Sequence, residues 1–125
     1  MGWCSLMDVE ILKNYCSLKK SSTYDFPFGD ENLVYRVGAK MFALIRLNSD
    51  HLQINLKCEP YMAQCLRLDY PSITAGYHMN KQHWNTINID GALADDFIEY
   101  LIDISYDIVF KSLSKKQQDL LNKVL

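Results

Sequence analysis

Residues 73–86 hold the densest set of side chains that could contact a ligand. Between positions 77 and 85 lie two histidines, a lysine, two asparagines, a tyrosine and a tryptophan. Cationic and amide groups donate hydrogen bonds to phosphate oxygens, and aromatic rings stack on bases. Because binding residues concentrate on loops, this stretch is a candidate nucleic-acid site. The alternative is that Tyr77 and Trp84 anchor the loop to the core.

A second polar set lies on residues 51–57, where polar and apolar side chains alternate. The polar members are His51, Gln53, Asn55 and Lys57. This alternation predicts a strand with one apolar face and one polar face. If the polar face is exposed, Lys57 would form a small basic patch with His78 and Lys81. The alternative is the ordinary wet face of an antiparallel sheet.

Residues with catalytic or metal-binding spacing are missing from the sequence. It contains no Gly-x-Ser-x-Gly, no His-Glu-x-x-His, no phosphate loop and no dinucleotide-binding glycine pattern. The cysteines and histidines that come closest to a zinc set are Cys58, Cys65, His78 and His83. Their spacing matches no familiar zinc pattern. We therefore expect a protein that is not an enzyme and that holds neither a metal nor a cofactor.

Length and charge narrow the class of protein. The chain has 125 residues, 49% of them hydrophobic, which predicts a single domain over residues 1–125 with a core of its own. A net charge of −2 argues against a generally basic, histone-like binder. The charge is uneven, because residues 36–83 carry six bases and three acids, whereas residues 84–110 carry six acids and no bases.

Targeting and redox signals are also weak. The N-terminus lacks the charged and apolar regions of a secretory signal, and no apolar run approaches the length of a membrane span. We therefore expect a cytoplasmic protein with no membrane contact, and we favour a monomer. The four cysteines are expected to act as small hydrophobic residues.

Hydrophobic periodicity and turn signals predict the elements that position these side chains. Helices are predicted over residues 6–18, 60–70, 94–110 and about 114–124, and strands over 23–27, 33–37, 40–47, 51–57 and 85–89. Residues 73–84 are predicted to be irregular. Strands that are joined by short turns pair antiparallel. The fold class predicted is therefore α+β, a two-layer sandwich in which an antiparallel sheet of about five strands packs against helices.

Finer expectations concern the helices. Ser5 with Asp8, and Ser114 with Gln117, resemble capping boxes at two helix starts. In the helix over 94–110, one apolar stripe is predicted to face the core. It consists of Leu93, Phe97, Leu101, Ile104 and Ile108.

Five blocks of sequence carry a resemblance to a known family. They are residues 24–30, 37–44, 54–58, 76–86 and 101–107. With these blocks the chain resembles the MmcQ/YjbR family over about residues 8–120. The run Tyr-His-Met-Asn-Lys-Gln-His-Trp-Asn-Thr at 77–86 is the most specific part. One departure is Gln82, where many members are expected to carry a basic residue.

The resemblance implies a frataxin-like (CyaY-like) sandwich with a double wing, and a DNA-binding function inferred from the wings. It also implies that the lysines and histidines at positions 40, 57, 78, 81 and 83 line the site. The DNA-binding hypothesis adds hydrogen bonds from Asn80 and stacking by Trp84 or Tyr77. The complete set is Lys40, Lys57, His78, Asn80, Lys81, His83 and Trp84. About three to five phosphate contacts predict a log K against log salt slope of about −3 to −5.

Two other functions stay open from the sequence. A protein-interaction or regulatory module would take a protein partner, or a small anion beside residues 77–84. An enzyme would need Lys57 or His78 to sit in a closed cleft with a strongly perturbed pKa.

Overall fold

A computed structural model describes residues 8–47, 52–76 and 80–123. The predicted helices and strands are all present, with ends that differ by up to three residues. In chain order the elements are α1 (Val9–Ser17), β1 (Thr23–Asp25), β2 (Asn32–Val37), β3 (Lys40–Arg46), β4 (Gln53–Lys57), α2 (Pro60–Asp69), β5 (Ile73–Ala75), β6 (Trp84–Asn88), α3 (Asp95–Lys111) and α4 (Lys115–Lys123). None of these described helices is long and apolar enough to cross a membrane.

The described strands form one antiparallel sheet of six strands in the order β1-β2-β3-β4-β6-β5. The α+β class is confirmed, and the sheet has one strand more than the five predicted. The additional strand is β5, which lies in the stretch predicted to be irregular and pairs Ile73 with Ile87. Three residues are too few to show the alternation by which a strand is predicted.

The helices pack on one face of the sheet, where the main core lies. From the strands this core takes Leu33, Tyr35, Val37, Phe42, Ala43, Ile45, Ile54, Leu56, Ile73 and Ile87. From α3 it takes Ile98, Leu101, Ile102, Tyr106 and Val109. The central helix α3 contacts β2, β3 and β4.

The buried stripe of α3 differs from the one predicted. Of the five stripe residues, Leu93 and Leu101 are buried, but Phe97, Ile104 and Ile108 are only partly buried. The buried face instead includes Ser105 and Tyr106. Apolar residues also lie beside the predicted stripe, at Ile98, Ile102 and Val109, so periodicity alone did not decide which of two neighbouring stripes faces the core.

The two predicted capping boxes have different outcomes. At α4, Gln117 N donates to Ser114 Oγ at 3.1 Å and Ser114 N donates to Gln117 Oε1 at 3.3 Å, which confirms the prediction. At α1, Asp8 is itself the N-cap and its Oδ1 accepts from Ile11 N at 2.9 Å. The helix therefore begins at Val9 instead of residue 6. Ser5 lies outside the described residues.

A polar cluster joins α1 to α3. Tyr15 Oη and Lys19 Nζ both donate to Asp103 Oδ1, at 2.7 and 2.6 Å. The Lys19 ammonium also lies 5.2 Å from the centre of the Tyr106 ring. Burial, and then the hydrogen bond to Asp103, raise the pKa of Tyr15 to about 12. Asp103 thus connects α1 and the residues that follow it to α3.

A serine hydroxyl connects α3 to the sheet. Beyond the pair Ala43 and Leu56, the next ladder bond would join Lys57 N to Phe42 O. Instead, Lys57 N donates to Ser105 Oγ at 2.8 Å, and Ser105 Oγ donates to Phe42 O at 2.5 Å. Ser105 is fully buried. The Ser105 hydroxyl therefore hydrogen-bonds one backbone N–H of β4 and one backbone C=O of β3, which do not bond each other.

Replacing Ser105 by Ala is expected to destabilise the protein by about 1–3 kcal/mol, because a buried N–H and a buried C=O lose their partner. The free energy of unfolding in urea measures this change. Ser17→Ala is the control: Ser17 is exposed and loses one long hydrogen bond, 3.3 Å from its Oγ to Tyr35 Oη, while Tyr35 Oη keeps its bond to Lys13 O. It should cost less than about 1 kcal/mol. Equal free energies of unfolding for Ser105→Ala and Ser17→Ala would contradict the role of Ser105 in joining β3 to β4.

Leu101→Ala is expected to cost about 2–5 kcal/mol, since Leu101 is only 4% exposed in the core. Its neighbour Tyr100 is 53% exposed, so Tyr100→Ala should change the urea midpoint far less. A Leu101→Ala midpoint that matches Tyr100→Ala would mean that α3 is not packed as described.

Candidate functional site

The face of the sheet opposite the helix-packed core carries a groove of about 630 Å³, which we call the open-face groove. Side chains from β2, β3, β4 and β6 and from two connecting segments line it. The lining residues are Phe28, Asn32, Met41, Leu44, Arg46, Gln53, Asn55, Asn80, Trp84 and Thr86. Aromatic, aliphatic, amide and cationic groups are all present in this lining.

Strand register arranges these side chains in rows across the sheet. One row joins Asn32, Arg46, Gln53 and Asn88, and the next joins Leu44, Asn55 and Thr86. At the other end of the groove, Trp84 lies opposite Lys57. Gln53 and Lys57 are four positions apart on β4, so the first row and Trp84 are separated by about 13 Å along the strands.

Hydrogen bonds hold the polar rows in place. Arg46 Nη1 donates to Gln53 Oε1 at 3.4 Å, and Gln53 Nε2 donates to Asn88 Oδ1 at 2.7 Å. In the middle row Thr86 Oγ1 donates to Asn55 Oδ1 at 2.5 Å. A row of amides fixed in this way is ready to exchange hydrogen bonds with a ligand at little further cost in side-chain entropy.

The polar face predicted for β4 is therefore present, but it is less exposed than expected. Asn55 is only 4% exposed and its partner Thr86 only 5%. Gln53 and Lys57 are half-buried. His51 lies outside the described residues. Polar groups buried beside a groove are more typical of a binding site than of an ordinary wet face.

The turn before Trp84 is shaped by Asn80. Asn80 Oδ1 accepts from Gln82 N at 2.9 Å, and Asn80 O accepts from Trp84 N at 2.9 Å. On the neighbouring strand, Gly76 N donates to Trp84 O at 2.8 Å. A Cβ on Gly76 would stand 2.9 Å from the Trp84 Cβ, so the close approach requires glycine there. Asn80 is thus a residue that positions Trp84 as well as one that lines the groove.

Arg67 on α2 holds the same turn from the helix side. Its Nε donates to Asn85 Oδ1 at 2.7 Å, and its Nη2 donates to Lys81 O. Asn85 is buried, and its Nδ2 donates to Ala63 O at 3.4 Å. The guanidinium therefore connects α2 to the strand and turn that present Trp84.

The structure brings together only part of the predicted site. Asn80 and Trp84 line the groove, and Lys57 lies opposite Trp84 at one end of it. Lys81 is exposed on the adjoining turn. His83 is half-buried there, and its carbonyl oxygen accepts from Cys58 N at 2.7 Å. His78 lies outside the described residues.

The structure does not bring Lys40 to the open-face groove. Its Nζ donates to Ser112 Oγ at 3.2 Å and to Ser112 O at 3.4 Å, at the carboxyl end of α3. A cation is favoured there because the last carbonyl groups of a helix carry partial negative charge. Lys40 therefore points toward the helix layer, whereas Lys57 belongs to the open face.

Several lining residues were missed from the sequence. Arg46 and Phe28 are not among the site residues named from the sequence. The period-two alternation of β3 puts Leu44 and Arg46 on one face, and this signal could have indicated them. Nothing in the sequence indicates that Phe28 lies over the groove, because the segment that connects β1 to β2 is irregular.

A metal site does not form among the described residues, which contain no group of three or more His, Cys, Asp or Glu side chains arranged to hold an ion. Cys58 is buried in the core, and Cys65 is half-buried on α2. Burial raises the pKa of the Cys58 thiol.

Comparison with known proteins identifies the family. A family model described as YjbR matches residues 17–108. The chain belongs to the YjbR family. Among similar proteins, the Escherichia coli K12 protein YjbR is 29% identical over 115 residues, which is 92% of this chain and 98% of that protein. The Escherichia coli O157:H7 protein YbdF is 36% identical over 93 residues, covering 74% of this chain and 76% of that protein.

Solved structures share the fold of this YjbR-family chain. The Deinococcus radiodurans protein DR2400, a DUF419 domain, superposes with a TM-score of 0.88 at 35% identity, over 94% of this chain and 89% of that one. A Pseudomonas syringae protein superposes with a TM-score of 0.72 at 29% identity, over 82% of this chain and 99% of that one. The MmcQ/YjbR resemblance inferred from the sequence is confirmed.

Arg67→Ala is expected to loosen the turn that carries Trp84. Loss of both hydrogen bonds leaves the buried Asn85 side chain without its donor, at a cost of about 1–3 kcal/mol. In a Trp3→Phe background, the fluorescence emission of Trp84 should shift to longer wavelength as its ring gains water contact. Arg36→Ala is the control, because it removes the pair with Asp25 and a hydrogen bond to Ala39 O, both of them on β1, β2 and the turn after β2 and none on the turn that carries Trp84. Unchanged emission in Arg67→Ala would contradict this role.

Proposed function

We propose that the chain binds DNA through the open face of its sheet, without catalysing a reaction. The observation that supports this best is the lining of the open-face groove. It combines the aromatic rings of Phe28 and Trp84 with fixed amides and the Arg46 cation. Aromatic rings stack on bases, amides pair with base edges, and cations neutralise phosphates.

Charge placement supports the same face. Strands β2, β3, β4 and β6 contain no Asp or Glu. Besides Lys40, which points toward the helix layer, their cations are Arg36, Arg46 and Lys57. The acids concentrate instead on α3, which packs against the other face of the sheet. A mildly acidic protein can therefore present a locally positive face to a polyanion.

The number of phosphate contacts falls at the lower end of the three to five expected from the sequence. Lys40 is directed to the helix layer, and Arg36 is paired with Asp25 at 2.9 Å. Arg46, Lys57 and Lys81 remain, which gives about three contacts. The expected slope of log K against log salt is then about −2 to −3 instead of −3 to −5.

Arg46→Ala, Lys57→Ala and Lys81→Ala should each weaken DNA binding and make the salt slope shallower by about 0.7–0.9, since each removes one phosphate contact. Lys40→Ala is the matched control and should bind as the wild type does. Fluorescence anisotropy at 50 and 200 mM salt measures both quantities. Loss of binding in Lys40→Ala alone, or a flat salt dependence of the wild type, would contradict the proposal.

A small anionic ligand is the second candidate function. The groove volume of about 630 Å³ lies within the range of about 300–1,000 Å³ that is typical of small-molecule sites. A rise in melting temperature with a mononucleotide, without any binding of longer DNA, would favour this candidate.

Cytoplasmic location and the double-wing geometry stay predictions that accompany the DNA-binding proposal.

A further inference from the structure

We infer that the open-face groove takes unpaired bases of a single strand and not a duplex. This rests on the proposed function and specifies its ligand. The inference starts from two aromatic rings that line the groove from opposite ends. Phe28 lies on the connection between β1 and β2, at the Asn32 end of the sheet. Trp84 lies at the Lys57 end.

The Phe28 ring is available for stacking. Its side chain is 65% exposed, although it lines the groove. Phe28 contributes little to the core, so its ring can stack on a base that enters the groove. Trp84 is half-buried, with its backbone held by Asn80 and Gly76. One ring is therefore mostly exposed at the groove, and the other is half-buried on a held backbone.

The floor between the rings suits the edges of bases. Asn55 and Thr86 place an amide and a hydroxyl in the middle row, and the Gln53 amide lies toward the Arg46 end. These groups can hydrogen-bond the Watson–Crick edge of a base. In a duplex those edges are already paired, so only an unpaired base offers them.

The spacing sets the size of the site. The first row and Trp84 are about 13 Å apart, and stacked nucleotides advance by about 3.4 Å along a strand. The groove thus spans about four stacked nucleotides, and fewer when the strand is extended. This lies at the lower end of the site sizes found for single-strand binders, which begin at about four nucleotides.

A duplex matches the same face poorly. Its bases lie stacked inside the helix, so side chains in a groove cannot reach their faces without extruding a nucleotide. Its phosphates would be met by only about three cations, which gives weak non-specific binding at physiological salt. Single-stranded DNA and single-stranded RNA both supply unpaired bases, and the experiment below distinguishes the two sources.

The test compares four labelled probes with the full chain at 50 mM salt, by fluorescence anisotropy. The probes are a six-nucleotide single-stranded DNA, the same sequence as RNA, a duplex of twelve base pairs, and a six-unit abasic strand. We expect the DNA single strand to bind at least about tenfold more tightly than the duplex and the abasic strand. Comparable binding of DNA and RNA would assign the site to unpaired bases in general, and tighter DNA binding would assign it to DNA.

Substitutions of Phe28 and Trp84 test the two rings. Phe28→Ala should weaken single-strand binding by about 5- to 150-fold, which corresponds to the usual loss of one stacked base. Phe26→Ala is the matched control, since Phe26 is 43% exposed and lines a different groove beside α1. Trp84→Phe, which keeps a ring, should bind better than Trp84→Ala, and melting curves show whether each variant is folded.

The outcomes separate this inference from the proposed function. Duplex binding that equals or exceeds single-strand binding overturns the inference and leaves DNA binding intact. The same holds if the abasic strand binds as well as the normal one, or if Phe28→Ala and Phe26→Ala lose affinity equally. Failure of all four probes to bind overturns both.

Discussion

The hydroxyl of Ser105 stands where a backbone hydrogen bond between β3 and β4 would otherwise form, and it joins the helix layer to the sheet at that point. A buried hydroxyl in such a place has to satisfy two backbone groups at once, so its position is tightly constrained. It fixes α3 relative to the two central strands, and Lys57 is one of the residues that it holds. The end of the open-face groove at which Trp84 lies opposite Lys57 therefore depends on a contact made through the core.

The groove itself depends on buried polar groups that hydrogen-bond one another. Thr86 with Asn55, and Arg67 with Asn85, place hydrogen bonds where an apolar pair would pack more simply. Such bonds add little to net stability, but their geometry is demanding, because an unsatisfied partner would be costly. These hydrogen bonds matter for geometry. They hold the polar rows of the open face, and the turn that carries Trp84, in one arrangement.

Much of the architecture could be predicted from local patterns. The helix of residues 95–111, the hairpin of β2 and β3, and the cap at Ser114 all follow from periodicity and turn chemistry. The features that could not be predicted are tertiary. The orientation of Lys40 depends on where α3 ends, and the burial of Asn55 depends on which strand lies beside β4. The contribution of Phe28 depends on a loop that only the folded sheet places over the groove.

The two outermost strands of the sheet, β1 and β5, are each three residues long. An outer strand exposes backbone donors and acceptors that another chain could extend, and this is a common route to aggregation. Strands of this length present only a few such groups, and Arg36 and Asp25 put a charged pair beside one of them. The protein can thus keep a broad sheet surface while offering other chains few backbone groups on which further strands could add.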